Sequence, residues 1–269
     1  MQAWSEPALG ELVAEARSRY DRVLLLVSPP RCCSTALARA FWEHPAFRFY
    51  AHEPFDTVYF DRAHPRAALR ELLAPLDLDP VARRSAHARG VVVKEMTFQV
   101  GPAFPLLLEL TTSPVVFLVR DPRLAIRSRM RVREEGGEQP AYPPVETGWP
   151  DLCAQILACE ERGHPFVLVE ATELRSRPDA VLPRLCSLLG LEFDEELLHW
   201  APADGVRLGQ LRSRQAHWYR RVLASTGFDP SSEPVPSLEE LGSLRPVVAG
   251  CVAAYRVLAE AAADGEEGA

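Results

Sequence analysis

Apolar residues fall along this chain in two rhythms. Short solid runs, Val23 to Val27, Val91 to Val93, Val115 to Val119 and Phe166 to Val169, leave no position for solvent. They read as strands buried on both faces. Between them the apolar positions recur at three- and four-residue spacing. That spacing predicts helices over residues 8–20 (Leu9, Leu12, Val13, Ala16), from Ser34 through Leu37, Ala40 and Phe41, from Gly101-Pro102 to Leu110, over 149–162, up to Leu188–Leu191, and over 238–263. Pro45 ends the second of these, and Phe47 to Tyr50 reads as a brief further strand. Residues 56–90, punctuated by Pro65, Pro75 and Pro80, read as one or two surface helices. Strands alternating with helices predict an α/β fold with a central parallel sheet flanked by helices. No repeat or low-complexity linker divides the chain, so residues 1–269 are expected to form a single domain. Its core would span about 23–263, with an acidic tail at 264–269.

Composition narrows the function. The chain has 269 residues, is 47% hydrophobic and 25% charged, and carries a formal net charge of −7. A general nucleic-acid binder is disfavoured, and an anionic ligand would need a local basic pocket. The first residues lack an apolar signal core, and no run of about 18 apolar residues is seen, so a cytoplasmic protein without a membrane partner is expected. The six cysteines, at 32, 33, 153, 159, 186 and 251, form no C-x-x-C pair and read as reduced thiols; no metal site is expected. Of 30 Lys plus Arg, Lys94 is the sole lysine.

Two strand–helix corners carry candidate chemistry. The first is Val27-Ser28-Pro29-Pro30-Arg31-Cys32-Cys33-Ser34-Thr35. A buried strand, a short turn and a helix opened by two hydroxyls bring free N–H groups and the positive helix end together, with Arg31 beside them. An ordinary corner capped by Ser or Thr is the plain alternative. The Walker sequence G-x-x-x-x-G-K-[ST] is absent. The second corner is Arg120-Asp121-Pro122-Arg123 with Ser128 eight residues after Arg120. There a planar guanidinium and a compact hydroxyl could grip one phosphate.

Pro30 to Thr35 resembles the P-[RK]-S-G-[ST]-T loop of 3′-phosphoadenosine 5′-phosphosulfate (PAPS)-dependent sulfotransferases, with Cys32-Cys33 replacing Ser-Gly. Arg120 to Ser128 is similar to that family's R-[ND]-P-[RK]-x-x-x-x-S motif. Lys94-Glu95-Met96, closing the third strand, resembles its K-[DE]-M variant; the phrase around Glu170–Pro178 and Leu188–Leu191 matches a scaffold motif in part. The resemblance implies a P-loop NTPase-like sulfotransferase fold of the bacterial small-molecule type. It implies transfer of a sulfonyl group from PAPS to a hydroxyl, phenol or amine, with 3′,5′-ADP as product. Arg31, Cys32, Cys33, Ser34 and Thr35 would hold the 5′-phosphosulfate, and Arg120 and Ser128 the 3′-phosphate. Arg212 and Arg214, in a basic, aromatic segment at 201–228, would close over the nucleotide.

Glu53 would be the general base that deprotonates the acceptor, once burial raises its pKa. His52 and Glu95 are the alternatives. Lys94 would meet charge on the bridging oxygen or form a structural pair with Glu95. The 135–150 stretch reads as a mobile gate or a solvated connector, and some relatives are homodimers. Two other readings remain. One is a non-catalytic module for 3′-phosphonucleotides. The other is a thiol phosphatase or rhodanese-like enzyme, because Cys33 and Arg39 satisfy C-x5-R.

Overall fold

The computed structural model describes residues 7–79, 87–203, 205–206, 208, 212–230 and 233–264, with the backbone alone described at 7, 212–216 and 264. Strands β1 (Arg22–Ser28), β2 (Phe47–His52), β3 (Leu76–Asp77), β4 (Gly90–Met96), β5 (Val115–Val119) and β6 (Phe166–Glu170) form one sheet in the order β3-β2-β4-β1-β5-β6. The β2, β4, β1, β5 and β6 pairings are parallel; short β3 adds to the β2 edge antiparallel. The expected central parallel sheet is thus present, with one antiparallel edge.

Alternation along β1 explains why helices cover both faces. Val23, Leu25 and Val27 face a core built from α1 (Pro7–Arg19), α4 (Pro65–Leu72), α6 (Phe104–Leu110) and α8 (Trp149–Arg162). Leu24 and Leu26 face a second core from α2 (Ser34–Phe41), α9 (Ala171–Ser176) and α10 (Pro178–Leu188). The helix expected over 101–110 is shorter than its apolar run. A four-residue helix α5 (Thr97–Val100) and a 3-10 turn at Gly101–Ala103 precede it, because Pro102 and Pro105 interrupt the ladder. Helix α3 (Asp56–Phe60) follows β2, α7 (Pro122–Glu135) follows β5, and α11 (Arg212–Leu223) lies in the basic, aromatic segment.

The chain closes with α12 (Arg245–Asp264), which rests against β6 and α7. Among the described residues, Glu239–Ala263 is long and apolar enough to cross a membrane by length and composition alone, with mean hydropathy 1.4.

The strand order places β1 between β4 and β5, so chain direction across the sheet reverses at β1. Ligands in open α/β sheets gather outside the carboxyl ends of strands at such a switch point. Ser28, His52-Glu53, Lys94-Glu95-Met96 and Arg120 all lie at those ends.

Candidate active site

The corner after β1 makes a tight cradle. Arg31 (φ 66°) and Cys33 (φ 67°, ψ 7°) both sit in left-handed backbone, the conformation for which glycine is the easy choice. Cys33 therefore adopts the glycine-like turn in spite of its Cβ. Ser28 Oγ donates to Ser34 Oγ at 2.7 Å, tying the strand end to the start of α2. Arg31, Cys33, Ser34 and Thr35 open onto a cavity of about 610 Å³.

Arg120 and Ser128 border the same cavity. Arg120 is only 4% exposed. Its Nη1 donates to the Arg31 carbonyl at 3.4 Å, and Arg31 Nε donates to Ser128 Oγ at 3.3 Å. The two sequence-distant corners are thus hydrogen-bonded into one unit. Asp121 and Arg123 serve the scaffold instead: the Asp121 carboxylate caps α7 by accepting from the Arg123 N–H at 2.9 Å, and it also pairs with the Arg123 guanidinium.

Glu53 lies where β2 runs out, in left-handed backbone (φ 49°), and is 2% exposed. Its Oε1 accepts from Lys94 Nζ and, at 2.9 Å, from the Tyr219 hydroxyl; its Oε2 accepts from Gln99 Nε2 at 3.0 Å. His52 Nε2 lies 3.4 Å from Oε1, and the Tyr50 hydroxyl bonds to His52 Nδ1. Burial alone would raise the Glu53 pKa, but Lys94, His52 and Gln99 outweigh it and hold the carboxyl at about 2. This corrects the expectation of a base raised toward neutrality. Burial pushes His52 down to about 3, so the imidazole is neutral. Burial also keeps Glu95 well above the ordinary carboxyl value, despite a bond from the Phe55 N–H to its Oε1 at 3.0 Å.

Three other expectations change. Lys94 is 0% exposed, bound to Glu53 and outside the cavity lining, so it does not reach a bridging oxygen. Glu95, fully buried, is also absent from the cavity lining. Cys32 turns its thiol under the loop toward the Pro30 carbonyl at 3.8 Å, leaving only its backbone for a ligand. Arg212 and Arg214 belong to α11, but their side chains lie outside the described residues.

The C-x5-R reading fails on geometry. Arg39 points away, pairing with Glu43, donating to the Ala201 carbonyl at 2.7 Å and stacking on Trp42 and Trp200. Burial raises the Cys33 thiol to about 11 even with Arg175, Arg120 and Arg31 opposing, so no thiolate nucleophile is poised there.

Several residues in or around the cavity wall carried no individual site assignment from sequence. Arg175 borders the cavity from α9, inside what read as scaffold. Arg129 stacks on Tyr142 at 4.4 Å and Phe98 at 5.3 Å and pairs with Glu146. These contacts pin the 135–150 stretch, where Tyr142, Glu146 and Thr147 are buried. Trp218 and Tyr219 line the cavity from α11; the aromatic-basic composition of 201–228 was the available signal. Glu233 sets its carboxylate against Arg131 at 2.8 Å and Arg120 at 3.5 Å.

A cavity bordered by two strand–helix corners and a buried carboxylate, on a six-stranded sheet, can be compared with known proteins. Residues 22–254 match the sulfotransferase-domain family model. The chain belongs to the sulfotransferase-domain family. Among solved structures, this sulfotransferase-domain protein is similar to the sulfotransferase domain of the Synechococcus PCC 7002 olefin synthase. That similarity has 19% identity and a TM-score of 0.52, over 88% of this chain and 96% of that one. It also aligns with the sulfotransferase domain from the curacin biosynthetic pathway (18% identity, TM-score 0.47, 87% of this chain and 98% of that one). A third alignment is with mouse sulfotransferase SULT7A1 complexed with PAP (13% identity, TM-score 0.45, 88% and 78%). No curated protein sequence matches the chain. The first of these likenesses supports the fold.

Proposed function

We propose that this sulfotransferase-domain protein, acting as one domain over residues 1–269, moves a sulfonyl group from PAPS to a hydroxyl, phenol or amine of a small molecule. The observation that carries the reading is the hydrogen-bonded unit of Arg31, Arg120 and Ser128 beside the start of α2, all bordering one cavity. Arg120 and Ser128 would hold the 3′-phosphate. Ser34, Thr35 and the loop N–H groups would hold the 5′-phosphosulfate, with Arg31 meeting the charge that spreads onto the leaving phosphate.

In the transfer, the acceptor oxygen forms a bond to sulfur while the bond from sulfur to the bridging oxygen breaks. The electron pair leaves with 3′,5′-ADP. Oε1 of Glu53 already accepts two strong donors, whereas Oε2 accepts one, so the acceptor hydroxyl would donate to Oε2. A carboxylate of pKa about 2 can serve because the acceptor proton becomes strongly acidic only as its oxygen bonds to sulfur. Lys94 then acts through Glu53, holding it ionised. All six thiols are free, which suits a reducing, cytoplasmic setting.

Calorimetric titration with 3′,5′-ADP, ATP and 5′-AMP tests the reading on the native protein and on Arg120→Ala. Micromolar binding of 3′,5′-ADP alone, lost in Arg120→Ala, is expected. Equal binding of all three nucleotides, or none, would sink it.

A further inference from the structure

Beside Glu53, on β2's end, α3, β4 and α5, buried polar atoms gather that lack a well-formed hydrogen bond. His52 Nε2, both Asp56 carboxyl oxygens, Thr57 Oγ1, Glu95 Oε2 and Gln99 Oε1 are buried and lack a hydrogen-bond partner of acceptable geometry. They come from two short stretches, 52–57 and 95–99, which the Phe55 N–H to Glu95 bond and the Gln99 to Glu53 bond hold together. Asp56 itself is 0% exposed. Buried polar groups are as a rule satisfied by protein or by ordered water.

We propose that this cluster holds internal water and that Asp56 receives through it the proton the acceptor gives to Glu53. The inference rests on the sulfonyl-transfer reading. The proton leaves the acceptor oxygen as that oxygen bonds sulfur, protonates Glu53, and passes to the Asp56 carboxylate. It returns to solvent after 3′,5′-ADP departs. Asp56 never touches substrate; it is a positioning residue for the proton's path.

The energetics run downhill along that path. Burial first, and the negative charge of Glu53 next, raise Asp56 to about 7, while Glu53 is held at about 2. The groups that act on Asp56 come from every side: Lys94 and Glu95 from β4, Glu53 from the end of β2, Asp61 beyond α3, and Tyr219 from α11. Helix α4 turns only apolar residues inward, and α5 contributes the neutral Gln99. Lys94 and the Thr57 N–H pull Asp56 down without prevailing.

The test is Asp56→Asn, with kcat and kcat/KM followed between about pH 5 and 9 and 3′,5′-ADP affinity measured alongside. Native kcat should fall tenfold per pH unit below an apparent pKa of about 7, where Asp56 becomes protonated. Asp56→Asn should lose that limb and drop kcat roughly tenfold at high pH, with nucleotide affinity unchanged. Difference infrared spectra of the native protein across the same range should show one carboxylic-acid band giving way to carboxylate. That second measurement does not depend on the variant folding. A retained acid limb in Asp56→Asn, or no carboxyl titrating in the spectra, overturns the proposal. Failure of the sulfonyl-transfer reading looks different: no PAPS is consumed by the native protein at any pH.

Discussion

The buried pair of Lys94 and Glu53 makes a quantitative demand on stability. Lys94→Met keeps most of the side chain's length and removes its charge. The Lys94 side chain is 0% exposed and that of Glu53 is 3% exposed, so the carboxylate would stay buried with only the Gln99 and Tyr219 donors. Removing one partner of a buried ion pair costs about 3–5 kcal/mol. The two surviving charge-assisted bonds place this case at the lower end, about 3 kcal/mol. Against a total stability of about 5–15 kcal/mol, the variant should fold but unfold early.

Neutralising both partners, in Lys94→Met with Glu53→Gln, should recover most of that loss, because no uncompensated charge remains. The pH response changes sign. In the native protein the Glu53 pKa is depressed from 4.5 to about 2, so its contribution is complete above 4.5 and is lost as pH falls from there to 2. In Lys94→Met, burial becomes the dominant influence and the pKa rises above 4.5. A penalty then grows as pH climbs above the unfolded value, and acid relieves it. Urea unfolding of native, both single variants and the double variant, at about pH 7.5, about pH 5.5 and about pH 3.5, measures all of this. A Lys94→Met cost below about 1 kcal/mol, or a double variant no more stable than the single one, would refute the argument.

Two further predictions concern the cradle. Cys33→Gly should raise stability by roughly 0.5–1 kcal/mol, since relief of a left-handed Cβ (about 1–2 kcal/mol) exceeds glycine's extra chain freedom. Thermal unfolding should move up by about 1–3 °C with 3′,5′-ADP binding intact, and a lowered Tm would count against it. Gly148→Ala should destabilise by about 2–3 kcal/mol, because φ is +75° there and a Cβ would lie 2.4 Å from Thr97 Oγ1 and 3.2 Å from Pro29 Cα. Displacing Pro29-Pro30 should also weaken nucleotide binding, so a native-like Tm and affinity would contradict that packing.

The strands and the two strand–helix corners were legible because their signals are local. A solid aliphatic run reads as a buried strand, and the eight-residue interval from Arg120 to Ser128 sets both on one corner. Which side of a strand end meets the cavity was not legible. Lys94 and Met96 close the same strand, yet Met96 lines the cavity and Lys94 does not, because Glu53 from β2 stands in front of it. That relation arises only when β2 pairs with β4, with His52 opposite Lys94. The Glu53 pKa was misjudged for the same reason: burial was foreseeable, the ammonium from β4 and the amide donor from α5 were not. Arg175 and Glu233 reach the cavity from segments more than fifty residues beyond Arg120, with no motif to mark them.

The chain's lysine content has a practical corollary. With Lys94 the only lysine and wholly inaccessible, the folded surface offers amine-directed reagents no side-chain target. Acylating probes and amine cross-linkers should therefore leave the side chains of residues 1–269 unmodified while the fold is intact. Label on Lys94 would appear only when the sheet opens around it. The rate of that labelling would then report opening of the region that holds Glu53, without any engineered probe.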